Sequence, residues 1–447
     1  MSRGLEERLK AALAGSPLVA RVDLVLDPLV ARRGGDAAVS RLDGPVLAGL
    51  ARALVSSVDA ARYLALRPAL LERLADAGPA TLAARAAALA DEARNTPADL
   101  EGALDALRLL RRDETLLAAA LDFGGVSPFE EVSNFLSILA EAILGETFAR
   151  ARASLAPGAD APDLAVVGMG KVGGREFTHH SDLDLIFLCG GGIEAIPYAS
   201  RVAQRGISYL TTRTGAGVAY AVDSRLRPSG HQGALVTTYE SFVHYQCDEA
   251  QTWEHLALAR ARTVAGDRDG GEEALAAVRE RLAARAKSPW AEVSDMRRKV
   301  EEQRADESSG KIAIKTGAGG LMDVDFLAAG ATLERGSRME RPAIPGNGAL
   351  LRAAEPGTAT DRVLEAYTVL RRVEARARWV LGRAAESLDP AAESFEWIVA
   401  LCAESEAELR ESLAVARRTI REAFQAVVDD ARVDALASVG AGRLEGR

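Results

Sequence analysis

The chain has 447 residues, a formal net charge of −9, 48% hydrophobic and 27% charged residues, which is the balance of a globular protein of two or three domains. The acidity excludes a general nucleic-acid-binding surface, though not a local basic pocket for phosphates. Cys189, Cys247 and Cys402 are far apart and odd in number, so no disulfide framework or zinc cluster is expected; with a charged N-terminus and no run near the ~18 apolar residues of a membrane span, the cytoplasm is the expected compartment and no membrane partner is implied.

Residues 2–155 read as helices, with apolar positions three and four apart, as at Leu104, Leu107 and Leu110. Ser127-Pro128-Phe129-Glu130 is a helix start, and Phe135, Ile138, Leu139 and Ile143 form the stripe that follows. The Arg111-Arg112 pair reads as a solvated face. Residues 156–162 are a linker by composition.

An apolar strand at 164–167 then runs into a glycine-rich turn and a short polar helix, and Ser181-Asp182-Leu183-Asp184 opens a second strand over 185–189. Positions two apart share a strand face, so Asp182 and Asp184 point together. Two such carboxylates repel unless a cation sits between them, and a hard divalent ion such as Mg²⁺ suits oxygen ligands. Gly168, Gly170 and Gly173 also match the dinucleotide fingerprint. That reading wants an acid at the far end of the second strand, where the chain has Cys189-Gly190-Gly191-Gly192. No P-loop run is present.

Residues 194–214 read as a helix broken by Gly215-Ala216-Gly217. In the next run Val218, Tyr220, Val222 and Leu226 alternate with Asp223, Arg225 and Arg227. The charged face either neutralises itself, for little gain, or serves a site. Residues 239–262 read as helical. Glu249, Glu254 and His255 invite a metal reading that adjacency of the last two disfavours, and Arg260 and Arg262 are candidate phosphate or pocket residues. From 271 the chain is mostly helical, apart from a strand-like run and glycine turn at 311–326 containing Lys315. A helix over 364–383 has Tyr367, Leu370, Val373 and Trp379 inward. Arg371, Arg372, Arg376 and Arg378 form a basic face read as solvated or as docking an acidic partner. A last helix runs through 427, and 433–447 reads as a frayed tail.

Gly168, Gly170, Lys171, Gly173, Gly174 and Glu176, followed by Ser181, Asp182, Asp184 and Phe187, resemble the motif of the glutamine synthetase adenylyltransferase (glutamate-ammonia ligase adenylyltransferase) family, within the DNA polymerase beta-like nucleotidyltransferases. Val222 to Gly230 resembles the family's V-D-x-R-L-R-P-x-G. The resemblance makes Asp223 the third metal carboxylate beside Asp182 and Asp184. Arg225 and Arg227 would face triphosphate oxygens or hold Asp223, as planar guanidinium forks do. Gly173 and Gly174 would let backbone N–H groups approach phosphates, with Lys171, Ser181 and Lys315 on the nucleotide side. Two metals held by three carboxylates suit nucleotidyl transfer, clamping attacking and leaving oxygens. Lys315, Gly317, Gly319, Gly320, Asp323 and Phe326 match a further element, with departures at Ala313, Asp325 and Ala329.

The resemblance implies an α+β, mostly helical protein: an N-terminal helical domain over 1–157, a nucleotidyltransferase domain with a small mixed sheet over 163–268, and a C-terminal helical domain over 271–447. It also implies Mg²⁺-dependent transfer of AMP from ATP to a tyrosine of glutamine synthetase. The segments 225–230 and 248–262 look like the adenylylating half of two-module members. The alternatives are phosphorolytic removal of AMP by the same chemistry, and non-catalytic binding of glutamine synthetase or of a PII-type signal protein.

Overall fold

The computed structural model describes residues 2–23, 41–42, 44–155, 161–228, 230, 233–284 and 288–441. Most of the expected linker (156–160), Ser229 and the last residues of the expected tail (442–447) lie outside them. The protein is α+β and mostly helical, with one small mixed sheet.

The N-terminal helices pack closely. Gly49, in the Gly44–Ser56 helix, crosses the Leu100–Phe123 helix so tightly that a Cβ there would lie 1.9 Å from the Ala120 carbonyl oxygen. The Phe129–Ala153 helix begins where the sequence signals it, but the cap is Pro128, and the buried Ser127 hydroxyl finds no partner among the described residues. This helix is long and apolar enough to cross a membrane by composition alone. Here it lies in the core, where its Glu141 pairs with Arg175 at 2.8 Å and with Arg262.

Strands β1 (Leu164–Gly168), β2 (Leu183–Cys189), β3 (Val222–Asp223), β4 (Val236–Thr238) and β5 (Arg262–Gly266) form the sheet in the order β3-β2-β1-β5. β1 is antiparallel to β2 and β5, while β3 and β4 run parallel to β2 along its other edge. Both faces are covered, so β1 and β2 read as continuous apolar runs. Val166 and Phe187 join the N-terminal helical core, with the Phe148 and Phe187 rings 5.6 Å apart. Ala165, Val167, Ile186 and Leu188 face Phe242, Leu275 and Val278 from the Tyr239–Asp248 and Arg268–Ala284 helices. The C-terminal helices, among them Leu321–Arg335, Thr358–Leu381 and Glu406–Ala441, share a core of their own.

Several expectations are corrected. The segment 239–262 is two helices, Tyr239–Asp248 and Thr252–Leu258, and Arg262 opens β5. The alternating run around Asp223 makes only two residues of strand, because the backbone turns at Ser224, where Arg227 donates to the Ser224 carbonyl at 2.8 Å. The helix expected to fray from 433 continues to Ala441.

Five of the six arginines read as solvated are structural. Arg111 lies over the Tyr220 ring at 4.9 Å, and Arg112 over Tyr63 at 3.9 Å. Arg371 and Arg378 are each 4% exposed. Arg371 bonds the Ser133 hydroxyl and the Glu176 carbonyl, Arg378 the His180 carbonyl, and Arg376 Asp122. A guanidinium has five donors in a fixed fork and can satisfy several buried acceptors at once.

Arg108, a turn before Arg111, shows what these arginines do. Fully buried, it donates to Gly217 O at 3.0 Å, to Tyr209 O and Thr212 O at 2.7 Å each, and to Leu104 O at 2.8 Å. It thereby ties the end of the Ile196–Thr211 helix to the loop that leads into β3. Replacing it by Met removes four hydrogen bonds at once and leaves partly buried carbonyls short of a donor, although Gly217 O keeps the Thr214 N–H at 2.9 Å. Arg108→Met is expected to cost about 3 kcal/mol or more, seen as a lower urea midpoint, and to weaken divalent-cation binding because β3 loses its support.

Candidate active site

β2 and β3 place the carboxylates. Their parallel register sets Asp184 directly opposite Asp223 and Leu183 opposite Val222. Asp182 precedes β2 by one residue and sits on the same side as Asp184. Carboxylate oxygens of Asp182, Asp184 and Asp223 all lie within 4.8 Å of one another. Asp182 is exposed and the other two are partly buried. Burial, and then the charges of Asp182 and Asp223, push the Asp184 carboxyl up from 3.8 to about 6, against the pull of Arg260 and Lys315. The site is short of positive charge, and its all-oxygen donor set suits a hard divalent cation.

The glycine turn closes on this cluster. Met169 N–H donates to Asp184 O at 2.8 Å, and Gly170 opens a one-turn helix, Gly170–Gly173, at φ +50. A Cβ on Gly170 would lie 2.7 Å from Asp184 Oδ2. The carboxylate therefore occupies the space a side chain would need. Gly170 belongs to the site, and only the glycine motif signals it.

The other expected nucleotide-side residues divide. Gly173 and Gly174 are packing glycines: a Cβ on Gly173 would lie 2.2 Å from Arg260 O, and one on Gly174 3.1 Å from Gly346 Cα. Their N–H groups already bond Met169 O and Gly170 O at 3.1 Å each. Ser181 is buried, and its hydroxyl accepts from Thr178 N–H at 3.2 Å and meets the Thr178 hydroxyl at 3.0 Å, closing the turn before β2. Lys171 turns away from the carboxylates to pair with Glu374; burial, then Arg378 and Arg371, lower it to about 8 against the attraction of Glu374. Arg225 faces the site, with its backbone N–H 2.9 Å and its Nε 2.7 Å from Asp223 oxygens. Arg227 braces the following turn through Ser224 O and Gly233 O. Lys315 is close enough to pull on Asp184 while reaching Glu386 at 3.4 Å.

The weighed alternatives resolve as structure. Glu254 forms a capping box with Gln251, and His255 Nε2 lies 2.8 Å from Gln246 O. Arg262 pairs with Glu141, and Arg260 holds Glu176 and Asp325 at 3.0 Å each. Of the departures, Ala313 and Ala329 are buried and Asp325 also accepts from Asn347 at 2.6 Å. Asp323 is fully buried against Arg297 and the Gly319 N–H. Sequence reasoning missed Glu374, which holds Lys171, because an acid in a helix otherwise rich in arginine reads as a surface residue.

A glycine turn thus abuts three carboxylates gathered at the start of β2 and on its parallel neighbour β3. Residues 47–277 match the model of the family described as Glutamate-ammonia ligase adenylyltransferase, and residues 294–428 match that of GlnD PII-uridylyltransferase. Proteins named bifunctional glutamine synthetase adenylyltransferase/adenylyl-removing enzyme are similar along most of the chain. The one from Pseudomonas syringae pv. tomato is 36% identical, covering 74% of this chain and 39% of its own length. Those from Pseudomonas aeruginosa and Aromatoleum aromaticum are 36% and 34% identical, covering 70% and 80% of this chain. The chain belongs to the glutamate-ammonia ligase adenylyltransferase family, and it spans 36% to 39% of the length of these relatives. The match to the family begins at residue 47, well before Gly168, where the motif that carries the resemblance begins.

Two outcomes test the site. Because Asp184 titrates near 6 with its neighbours charged, protons compete with a cation there. Mg²⁺ or Mn²⁺ affinity is expected to fall as pH drops below about 6, with proton uptake into buffer on binding at pH 5.5 and almost none at pH 8, read by calorimetry in buffers of different ionisation enthalpy. A carboxyl raised above its unfolded value destabilises the fold as pH rises through that range, so Asp184→Asn should raise the melting temperature of the metal-free protein at pH 7.5, by about 1–2 °C, while abolishing its shift with Mg²⁺. Separately, Gly170→Ala should weaken cation binding about tenfold, since the Cβ displaces Asp184 and a positive φ costs about 1 kcal/mol.

Proposed function

We propose that this chain transfers AMP from ATP to a tyrosine hydroxyl of glutamine synthetase, with Mg²⁺ held by Asp182, Asp184 and Asp223. The observation that carries the reading is the mutual approach of the three carboxylates within 4.8 Å. A divalent cation held by these carboxylates would supply charge neutralisation for adenylyl transfer. The chain's own residues orient and bind. Arg225 steadies Asp223, while Lys315 and Arg260 lend positive potential beside Asp184. Gly170 keeps the turn close to the carboxylates.

The names of the relatives supply the acceptor, and the likeness of 225–230 and 248–262 to the adenylylating half supplies the direction. Those names also carry adenylyl removal, which makes it the second reading. A PII-type signal protein is proposed as a regulatory partner on the likeness of residues 294–428 to GlnD PII-uridylyltransferase. The cytoplasm is the proposed compartment.

Purified protein, glutamine synthetase, α-³²P-ATP and Mg²⁺ should put label on the synthetase. Asp184→Asn should lower the rate by about a thousandfold or more, as the loss of a group acting in the transition state does. Release of ADP from adenylylated synthetase and phosphate, without forward labelling, would reverse the assigned direction. Tight binding to the synthetase with neither reaction would make the chain a regulator.

A further inference from the structure

A cavity of about 490 Å³ opens between the Arg268–Ala284 and Leu321–Arg335 helices and the Thr252–Leu258 helix, and none of the three site carboxylates lines it. Leu258, Leu275, Val278, Leu333 and Met339 make much of its wall apolar, and Arg279 and Arg341 enter it together. Its size is in the range of small-molecule sites, which pair apolar walls with a few placed polar groups.

The two guanidiniums are under-satisfied. Among the described residues, Nη1 of Arg279 and Nη1 of Arg341 are each enclosed without a hydrogen-bond partner. Arg341 spends Nη2 on the Ala259 and Ala261 carbonyls, at 2.7 and 3.2 Å. The carboxylate that pulls on both is Glu272, which stands 3.7 Å from Arg279 Nη2 and accepts the Thr263 N–H at 2.6 Å through its other oxygen. Burial, and then the Arg279 charge, push Arg341 down to about 10. Glu280 and Glu292 also line the cavity, but both are exposed, and Glu292 accepts from the Thr252 hydroxyl. Both arginines are only partly buried, but each turns an enclosed Nη1 without a partner among the described residues toward the cavity, and such a donor is better satisfied when an anion joins it.

We propose that this cavity binds a small organic anion, one carboxylate or phosphate group on an apolar body about the size of a ring. The anionic group sits between Arg279 and Arg341, where guanidinium forks match its oxygens. The body lies against Leu275, Val278 and Met339. The site stands independently of the proposed reaction. Arg341 nonetheless grips the backbone on both sides of Arg260, whose side chain holds Glu176 and Asp325 and pulls on Asp184.

The test is calorimetric titration of the full chain with phenylphosphate and with benzoate, using benzyl alcohol as the neutral control. At least one anion should bind saturably at a single site, with benzyl alcohol at least about tenfold weaker. Arg279→Gln removes one guanidinium while leaving the backbone bonds of Arg341 intact. Leu282→Trp narrows the cavity while keeping both arginines. Each should weaken the anion at least about tenfold with melting temperature held within a few degrees, and Asp184→Asn should leave it unchanged. Failure of both anions to saturate the wild type overturns the proposal, as does undiminished binding in both cavity variants. Loss of binding in Asp184→Asn would place the anion at the carboxylates instead and equally overturn it.

Discussion

The arrangement of this molecule depends on one buried acid. Glu374 has a side chain 1% exposed, and it meets Lys171 from the glycine turn and Arg378 and Arg371 from its own helix. Burial works against its charge, but the three cations outweigh that and hold it down at about 2. The same arginines reach onward, Arg371 to Ser133 in the Phe129–Ala153 helix and to Glu176 O, and Arg378 to His180 O. The N-terminal helices, the turn beside the carboxylates and the C-terminal helices are thus pinned through one charge cluster. Removing Glu374 would strip Lys171 and Arg378 of the carboxylate they share and leave Arg371 with Glu176 at 3.5 Å, in a poorly hydrated space where an unpaired charge costs several kcal/mol.

Against that cluster stands a second one of opposite sign. Asp182, Asp184 and Asp223 crowd together with little to neutralise them, and Asp184 registers the strain in its raised titration. The fold holds these charges in place with packing: β2 is buried along its length, and β3 is anchored through the loop that Arg108 grips. The positive cluster binds the layers together, and the negative cluster is a local instability that they sustain.

Some of this was legible in the sequence, and the reasons are physical. β1 and β2 announce themselves because both faces are buried and the runs are apolar. Asp182, Asp184 and Asp223 follow from period-two spacing and a family resemblance, and the parallel register of β2 and β3 brings them to one point. β4 and β5, of three and five residues, lack alternation and sit among helical patterns, so nothing local marked them. The arginines misled because charge normally marks the outside. The partners that draw them inward are backbone carbonyls roughly a hundred or more residues away, such as Gly217 for Arg108 and Glu176 for Arg371, and a carbonyl has no sequence signature.

The glycine motif is where pattern and mechanism separate most clearly. An N–H cradle for phosphate was the natural reading of Gly173 and Gly174, yet their N–H groups are consumed inside the turn and their α-carbons are pressed against Arg260 O and Gly346. Gly170 is pressed against a carboxylate. Each glycine serves close approach, one toward the site and two toward the scaffold, and Lys171 between them is committed to Glu374. Among the described residues, Arg260 pulls on Asp184 but is committed to Glu176 and Asp325, whereas Arg225 and Lys315 stand on the carboxylate side on substantially exposed side chains. The turn fixes where the carboxylates stand, and the exposed Arg225 and Lys315 side chains flank them.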